Sequence, residues 1–211
     1  MESGDNAKMS AHQLRATNDC GAQLLENVLE AMGRAVELRD PYTAGHERRV
    51  AQLAGAIASH LGLSAEALAG LRLAALAHDV GKVVVPSEIL SKPAALTPHE
   101  FDVVREHPRV GFEILSPVGF GRPVADIVLQ HHERVDGSGY PDGVASSDTL
   151  LEARILAVAD VLEAMASHRP YRPALGVPAA LDEIRAGAGT LYDRRVVEAC
   201  VAAIELGFTF D

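Results

Sequence analysis

The chain has 211 residues, of which 48% are hydrophobic and 4% aromatic, and its formal net charge is −10. This length suits one well-buried domain, and apolar mass made mostly of Ala, Leu and Val favours close-packed helices over a β-sandwich. The negative charge argues against nucleic acid or an anionic membrane surface as the main partner, but bound divalent cations could still recruit a phosphate ligand.

The first part of the chain is predicted to form a lead-in and three helices. Residues 1–18 are polar and weakly periodic, which indicates a flexible N-terminal lead-in to a domain over residues 19–211. Apolar residues then recur at helical spacing, and Ser64 can cap the third helix. These helices are expected over residues 21–39, 43–61 and 64–78.

The rest of the chain is predicted to be helical as well. Thr97 to Glu100 has the form of a capping box, with Pro98 at the first helical position. Residues 83–89 are a connector of uncertain type, and the Gly- and Ser-rich residues 136–147 must form a loop. The further helices are expected over residues 97–116, 124–131, 150–165, 177–185 and 193–206. The pattern predicts an all-α, single-domain bundle of about seven helices.

The cysteine usage and the N-terminus indicate a cellular compartment. Cys20 and Cys200 are far apart, so a disulfide framework is not expected and a reducing environment fits. No stretch approaches the roughly 18 consecutive apolar residues of a membrane span, and no signal peptide pattern is present. We therefore expect a cytoplasmic protein that is not inserted in a membrane.

Several histidines fall on or beside the apolar stripes of different predicted helices. A single histidine on an apolar face is more often a core residue than a ligand, but four on four helices indicate a shared site in the bundle core. These are His46, His78, His107 and His131, and their polar neighbours are His132, Asp79 and Asp160. With no cysteine beside them, iron, manganese or another borderline-to-hard metal is favoured over a thiolate zinc site.

The adjacent pair His78-Asp79 suits two metals, because the histidine can bind one ion while the carboxylate bridges to the second. Two ions about 4 Å apart can hold a bridging hydroxide and clamp a phosphoryl group. Lys82 could donate to a phosphate oxygen or could be a solvated lysine. Glu133 could orient a ligating histidine or could lie at the surface.

Five stretches together resemble the HD-GYP family, a branch of the HD-superfamily metal-dependent phosphohydrolases. A bare His-Asp dipeptide would be weak evidence, whereas the whole set in this order is strong. The stretches are Arg-Asp-Pro-Tyr-Thr-Ala-Gly-His (39–46), His-Asp-Val-Gly-Lys (78–82), His-Pro (107–108), His-His-Glu-Arg-Val-Asp-Gly-Ser-Gly-Tyr-Pro (131–141) and Arg-Pro-Tyr-Arg (169–172).

The resemblance implies an HD-type bundle, two divalent metal ions and hydrolysis of the bacterial second messenger cyclic di-GMP through a metal-bridging hydroxide. The expected metal is iron, with manganese or another divalent metal as the alternative, and the expected product is linear pGpG, with GMP after a further step. The implied metal ligands are His46, His78, Asp79, His107, His131, His132 and Asp160, with Asp79 bridging.

The resemblance also implies roles for residues that are not ligands. Lys82 would contact the scissile phosphate, and Asp40 would assist proton transfer. The substrate's bases and phosphates would be held by Tyr140, Arg169 and Arg172, in keeping with the suitability of arginine for bidentate phosphate recognition. The two arginines could instead complement a helix C-terminus, and Tyr140 could simply pack in its turn.

Two positions depart from the family pattern. Family members that hold a third metal carry a glutamate where this chain has Tyr42, which favours two ions. Three residues after Asp160 the family usually has a second aspartate, and this chain has Glu163. That change keeps the charge and lengthens the side chain.

Other functions remain open on the sequence alone. The chain could be a metal-holding receptor that senses cyclic di-GMP or docks signalling proteins through its Gly-Tyr-Pro loop. It could also be an HD enzyme for another nucleotide or a phosphate monoester, or, more distantly, a helical di-iron oxygenase. The amphipathic first helix could form a homodimer or could bury its apolar stripe within the domain. The full ligand set and Lys82 favour the hydrolase.

Overall fold

Helices account for nearly all the regular structure of the described residues. The structure, a computed structural model, describes residues 3–39, 44–167 and 174–210, and within 3–19 it describes the helix but not the side chains. The helices are α1 (Ser3–Glu37), α2 (His46–His60), α3 (Ala65–Ala77), α4 (Ser87–Leu90), α5 (Pro98–Arg105), α6 (His107–Leu115), α7 (Val124–Gln130), α8 (Leu151–Ala166), α9 (Gly176–Ala186) and α10 (Arg194–Glu205). Short 3-10 turns cover Val80–Val84, Ser116–Val118 and Ser146–Asp148. The predicted all-α bundle is confirmed.

Helix α2 lies at the centre of the bundle and packs against α3, α8 and α10. Its apolar stripe, which includes Leu53 and Ile57, is fully buried, as are Leu76 of α3 and Leu156 of α8. Alanines such as Ala54 lie between these larger side chains and let the helix axes approach closely. A core with so few aromatic residues therefore depends on close helix packing, as the composition predicts.

The helix starts that were predicted from capping residues are confirmed. The Ser64 side chain accepts a hydrogen bond from the Ala67 N–H at the start of α3. At the start of α5, Thr97 accepts from the Glu100 N–H while the Glu100 carboxylate accepts from the Thr97 N–H, which completes a capping box. Each cap satisfies backbone donors that would otherwise lack a partner in the first turn.

The single helix predicted over residues 97–116 is wrong, because the chain forms two helices, α5 and α6, that meet at Glu106. Pro108 lies in the first turn of α6. Proline has no N–H to donate and its ring crowds the carbonyl four residues earlier, so α5 cannot continue through this position. The break makes His107 the first residue of a new helix rather than the middle of a long one.

The N-terminal boundary stays a prediction. Helix α1 begins at Ser3, ahead of the expected start at residue 21, and continues to Glu37. The division into a lead-in over residues 1–18 and a domain over 19–211 depends on flexibility, which the helix assignment does not address. Among the described helices, none has the length and apolar content needed to cross a membrane.

Candidate metal centre

The seven predicted metal ligands converge on one buried region between five helices. His46 begins α2, His107 begins α6, and Asp160 lies within α8. His78 and Asp79 directly follow α3, and His131 and His132 directly follow α7. The ends of four helices and the middle of α8 therefore bring together residues that are far apart in sequence.

One group of candidate ligand atoms belongs to His46, His78 and Asp79, which lie within 4.8 Å of one another. Asp160 adjoins this group, because its Oδ1 atom lies 3.2 Å from His46 Nε2 and 3.9 Å from His78 Nε2. Apart from Asp160, which is slightly more exposed, these residues are almost fully buried. This half of the centre offers imidazole nitrogens and carboxylate oxygens.

A second group consists of His107, His131 and His132, whose ligand atoms also lie within 4.8 Å of one another. Asp79, a member of the first group, also faces the second. Its Oδ2 atom is 3.7 Å from His78 Nε2, and its Oδ1 atom is 3.4 Å from His107 Nε2. The carboxylate of Asp79 can therefore reach both groups at once.

Backbone hydrogen bonds hold three of the rings with their Nε2 atoms directed at the centre. The Nδ1 atoms of His78, His107 and His131 lie 2.8, 2.8 and 2.6 Å from the carbonyl oxygens of the residues three positions earlier. A carbonyl only accepts, so each Nδ1 carries a proton, and in the neutral form of the ring Nε2 then presents a lone pair. This orientation is the one that metal-ligating histidines usually adopt.

The arrangement of His107 and His131 indicates whether a metal ion fits this site. The Nε2 atoms of His107 and His131 lie 3.3 Å apart inside the bundle, and neither carries a proton to donate to the other. Two buried lone pairs in that arrangement repel each other, whereas a cation would turn both atoms into ligands. The nitrogen and oxygen donors of this centre therefore fit a divalent metal.

The pKa shifts give these residues the protonation states that a cation requires. Burial lowers the pKa of His107 to about 4 and holds the pKa values of His131 and His132 well below the ordinary value. Burial alone would raise the pKa of Asp79, but Lys82 and the surrounding histidines outweigh it and hold that pKa well below its usual range. Neutral imidazoles and an ionised carboxylate at pH 7 are ready to bind without releasing protons.

Glu163 orients the ring of His46. Its Oε2 atom lies 2.5 Å from His46 Nδ1, while its Oε1 atom accepts from Arg49 Nε at 2.6 Å and from the Ser167 hydroxyl at 2.7 Å. The carboxylate is fully buried. Burial would raise the pKa of Glu163, but the bonds and charge of these neighbours lower it to about 2. The longer side chain at this position is therefore accommodated, and the contacts of Arg49 and Ser167 were not foreseen from the sequence.

Lys82 reaches the centre from the 3-10 turn Val80–Val84. Its ammonium lies 2.6 Å from Asp79 Oδ2. Gly81, beside it, lets this turn lie against the start of α6, because a Cβ atom there would be 1.9 Å from the His107 carbonyl oxygen and 2.7 Å from the Gly111 nitrogen. The glycine of the His-Asp-Val-Gly-Lys stretch is thus a packing requirement that brings Asp79 and His107 together.

We expect Gly81→Ala to destabilise the fold by about 3 kcal/mol, since overpacking a tight contact against backbone costs about 1–3 kcal/mol or more. Urea unfolding measures the change. Gly55→Ala is the matched control, because nothing lies within 4 Å of a Cβ atom at Gly55 of α2, and alanine there should add up to about 1 kcal/mol. Equal stability of the Gly81→Ala variant and the wild type would contradict this packing account.

Glu133 has a role different from both readings made from the sequence. Within the described part of the chain, Glu133 makes no hydrogen bond to a histidine, and it does not lie at the surface. It is buried, and its carboxylate accepts from the backbone N–H groups of Asp142, Gly143 and Val144 at 2.8, 3.1 and 3.1 Å. These bonds fix the loop that follows His132 and so position Tyr140.

Tyr140 lies beside the second histidine group. Its ring centroid is 4.6 Å from that of His132, with the two planes 30° apart. Burial raises the pKa of Tyr140, so its phenol stays protonated. Three other predicted site residues, Asp40, Arg169 and Arg172, lie outside the described residues, as does Tyr42, and their roles stay predictions.

Comparison with known proteins identifies sequence relatives over most of the chain. A family model described as the HD domain matches residues 30–196. The response regulator RpfG of Xanthomonas campestris, named a cyclic di-GMP phosphodiesterase, is 46% identical over 173 residues, which is 81% of this chain and 46% of the relative. A cyclic di-GMP phosphodiesterase of Thermotoga maritima is 42% identical, covering 83% of this chain and 48% of the relative.

Relatives with a different named substrate also match. The 3′3′-cGAMP-specific phosphodiesterase 3 of Vibrio cholerae is 37% identical, covering 86% of this chain and 40% of the relative. Among solved structures, an HDG"Y"P protein from Bdellovibrio bacteriovorus matches with a TM-score of 0.66 at 18% identity, over 87% of this chain and 64% of that one. At that identity the likeness shows the fold. The chain spans less than half the length of these sequence relatives.

Proposed function

Because this chain belongs to the HD domain family and carries the sequence motifs of its HD-GYP branch, we propose that it is a metal-dependent phosphodiesterase that hydrolyses cyclic di-GMP. The observation that carries the proposal is the buried centre in which two groups of nitrogen and oxygen donors flank Asp79. The choice of cyclic di-GMP as the substrate is supported by relatives that are named cyclic di-GMP phosphodiesterases. The proposed products are linear pGpG and, after a second cleavage, GMP.

We propose two ions, with iron as the metal and manganese as the alternative. Two divalent ions would supply Lewis acidity toward a phosphoryl oxygen and a nucleophile at neutral pH. The ligands would be His46, His78, Asp79 and Asp160 on one side, and His107, His131 and His132 with Asp79 on the other. Nitrogen and oxygen donors suit these borderline-to-hard metals, and Tyr42 in place of a family glutamate favours two ions over three.

The chain's own residues would bind and orient the substrate. The ammonium of Lys82, beside Asp79, would hold the scissile phosphate, and the protonated phenol of Tyr140 could donate a hydrogen bond. Asp40 would move a proton, and Arg169 and Arg172 would bind phosphates and bases. These last three assignments depend on the family resemblance alone. Docking of signalling proteins on the Gly-Tyr-Pro loop, a homodimer and a cytoplasmic location stay predictions as well.

The test is turnover by protein purified without oxygen, with its metal content measured by element analysis. We expect two metal ions per chain and cleavage of cyclic di-GMP. Binding of cyclic di-GMP without cleavage, by fully loaded protein under reducing conditions, would overturn the proposal and favour a receptor.

A second substrate is favoured by one specific observation. Three relatives from Vibrio cholerae carry names specific for 3′3′-cGAMP. Measuring kcat/KM for cyclic di-GMP, 3′3′-cGAMP and cyclic di-AMP side by side shows which dinucleotide is the preferred substrate. The proposal predicts the highest value for cyclic di-GMP.

A further inference from the structure

An aromatic and cationic surface lies at the rim of the candidate metal centre, and two of its three residues have so far been given no role. Phe101 and Arg105 of α5 meet Tyr140 there. The Phe101 and Tyr140 rings are arranged edge to face with centroids 6.1 Å apart. The Arg105 guanidinium carbon lies 5.1 Å from the Tyr140 centroid and 5.8 Å from the Phe101 centroid. We call these three side chains the shelf.

The shelf is continuous with the candidate metal centre. Tyr140 is stacked at a tilt on His132, and its centroid lies 6.4 Å from that of His107. A molecule whose phosphate lies at the centre and that extends over Tyr140 would therefore reach Phe101 and Arg105. The shelf is in position to contact whatever group is attached next to that phosphate.

Core packing does not account for the exposed part of the shelf. Helix α5 contains no buried residue, and 43% of the Phe101 side chain is exposed. Within the described residues, the Arg105 guanidinium has no hydrogen bond and no carboxylate partner. Arg49 and Arg154, in contrast, are each paired with a carboxylate. Arg105 thus presents donors beside two aromatic faces.

We propose that the shelf binds a purine base of the substrate and that Arg105 selects guanine over adenine there. This inference rests on the proposed function, in that it assigns one base of the cyclic dinucleotide to this surface. Aromatic faces stack on any base. Guanine offers two acceptors, O6 and N7, that a guanidinium can bind together, whereas adenine offers an N6 donor in place of O6. Because arginine has only donors, it would leave that group of adenine unsatisfied.

The test measures dissociation constants of metal-loaded protein for cyclic di-GMP and cyclic di-AMP. We expect Arg105→Ala to weaken cyclic di-GMP binding by about 10- to 100-fold, in line with the value of a bidentate arginine–guanine contact. Cyclic di-AMP binding should change by less than about 3-fold, so the preference for guanine falls. Arg105→Lys should also lose most of the preference, because lysine keeps the charge without the planar pair of donors. Phe101→Ala should weaken both ligands by about 10-fold through lost stacking.

Arg195→Ala is the matched control, because Arg195 lies on α10 with 69% of its side chain exposed, and both constants should stay at the wild-type values. Equal weakening of both ligands by Arg105→Ala, or no change in either, would overturn the shelf as a guanine site. If the wild type binds cyclic di-GMP selectively without cleaving it, the proposed activity fails while the shelf stands. Failure of the wild type to bind either dinucleotide would overturn both.

Discussion

An Asp79→Asn variant is expected to lose bound metal and to hydrolyse cyclic di-GMP at least about 1,000-fold more slowly than the wild type, a loss of about 4 kcal/mol of transition-state stabilisation. Among the described carboxylates, Asp79 is the one that lies within 4.0 Å of histidines in both donor groups, with oxygens 3.7 Å from His78 Nε2 and 3.4 Å from His107 Nε2. An amide keeps the shape of the side chain but removes its charge and one acceptor oxygen. Element analysis and initial rates measure the two losses.

The same variant should respond differently to a chelator. Metal bound only by the folded protein raises its stability, so chelation should lower the melting temperature of the wild type. The Asp79→Asn variant, which has little metal to lose, should show almost no shift. Asp126→Asn is the control, because Asp126 is exposed on α7, and it should behave as the wild type. An Asp79→Asn protein with a full complement of metal and normal rates would show that Asp79 is not a bridging ligand.

The parts of this molecule that local chemistry determines could be predicted from the sequence. The caps at Ser64 and Thr97 depend on residues within three positions of each other, and both helix starts are confirmed. The alignment of His46, His78, His107 and His131 with apolar stripes indicated that they share the core, and the structure brings them together. Periodicity was sufficient because a bundle core has only one interior into which such side chains can point.

The contacts that join distant segments could not be predicted. His46 and Glu163 are 117 positions apart, and no spacing rule connects them until α2 and α8 are packed together. Glu133 was expected to orient a histidine or lie at the surface, yet it binds the backbone of a loop that folds back onto it. The break between α5 and α6 is different, because it has a local signal: Pro108 cannot continue a helix and is common in a first helical turn, so this boundary could have been predicted from the sequence.

We expect Glu163→Ala to weaken metal binding by about 10- to 100-fold, because partners that orient a ligating histidine typically contribute that much. The substitution removes the acceptor 2.5 Å from His46 Nδ1 and leaves Arg49 without the carboxylate 2.6 Å from its Nε. Breaking a buried ion pair on one side costs about 3–5 kcal/mol, and Arg49 retains some exposure, so we expect a loss of about 3 kcal/mol. Competition with a chelator of known affinity and urea unfolding of the metal-free protein measure the two effects separately.

Two further substitutions of Glu163 show whether this residue orients His46 or has a purely structural role. Glu163→Gln keeps the size of the side chain but cannot accept from both His46 and Arg49 with equal strength, so metal affinity should fall while the core stays filled. Glu163→Asp restores the family residue and the charge, and it should recover more metal affinity than Glu163→Gln even though its shorter side chain packs less well. Glu152→Ala, on the same helix, should leave metal affinity unchanged. If all three Glu163 variants lost stability but bound metal as tightly as the wild type, Glu163 would hold α8 to α2 without orienting the ligand.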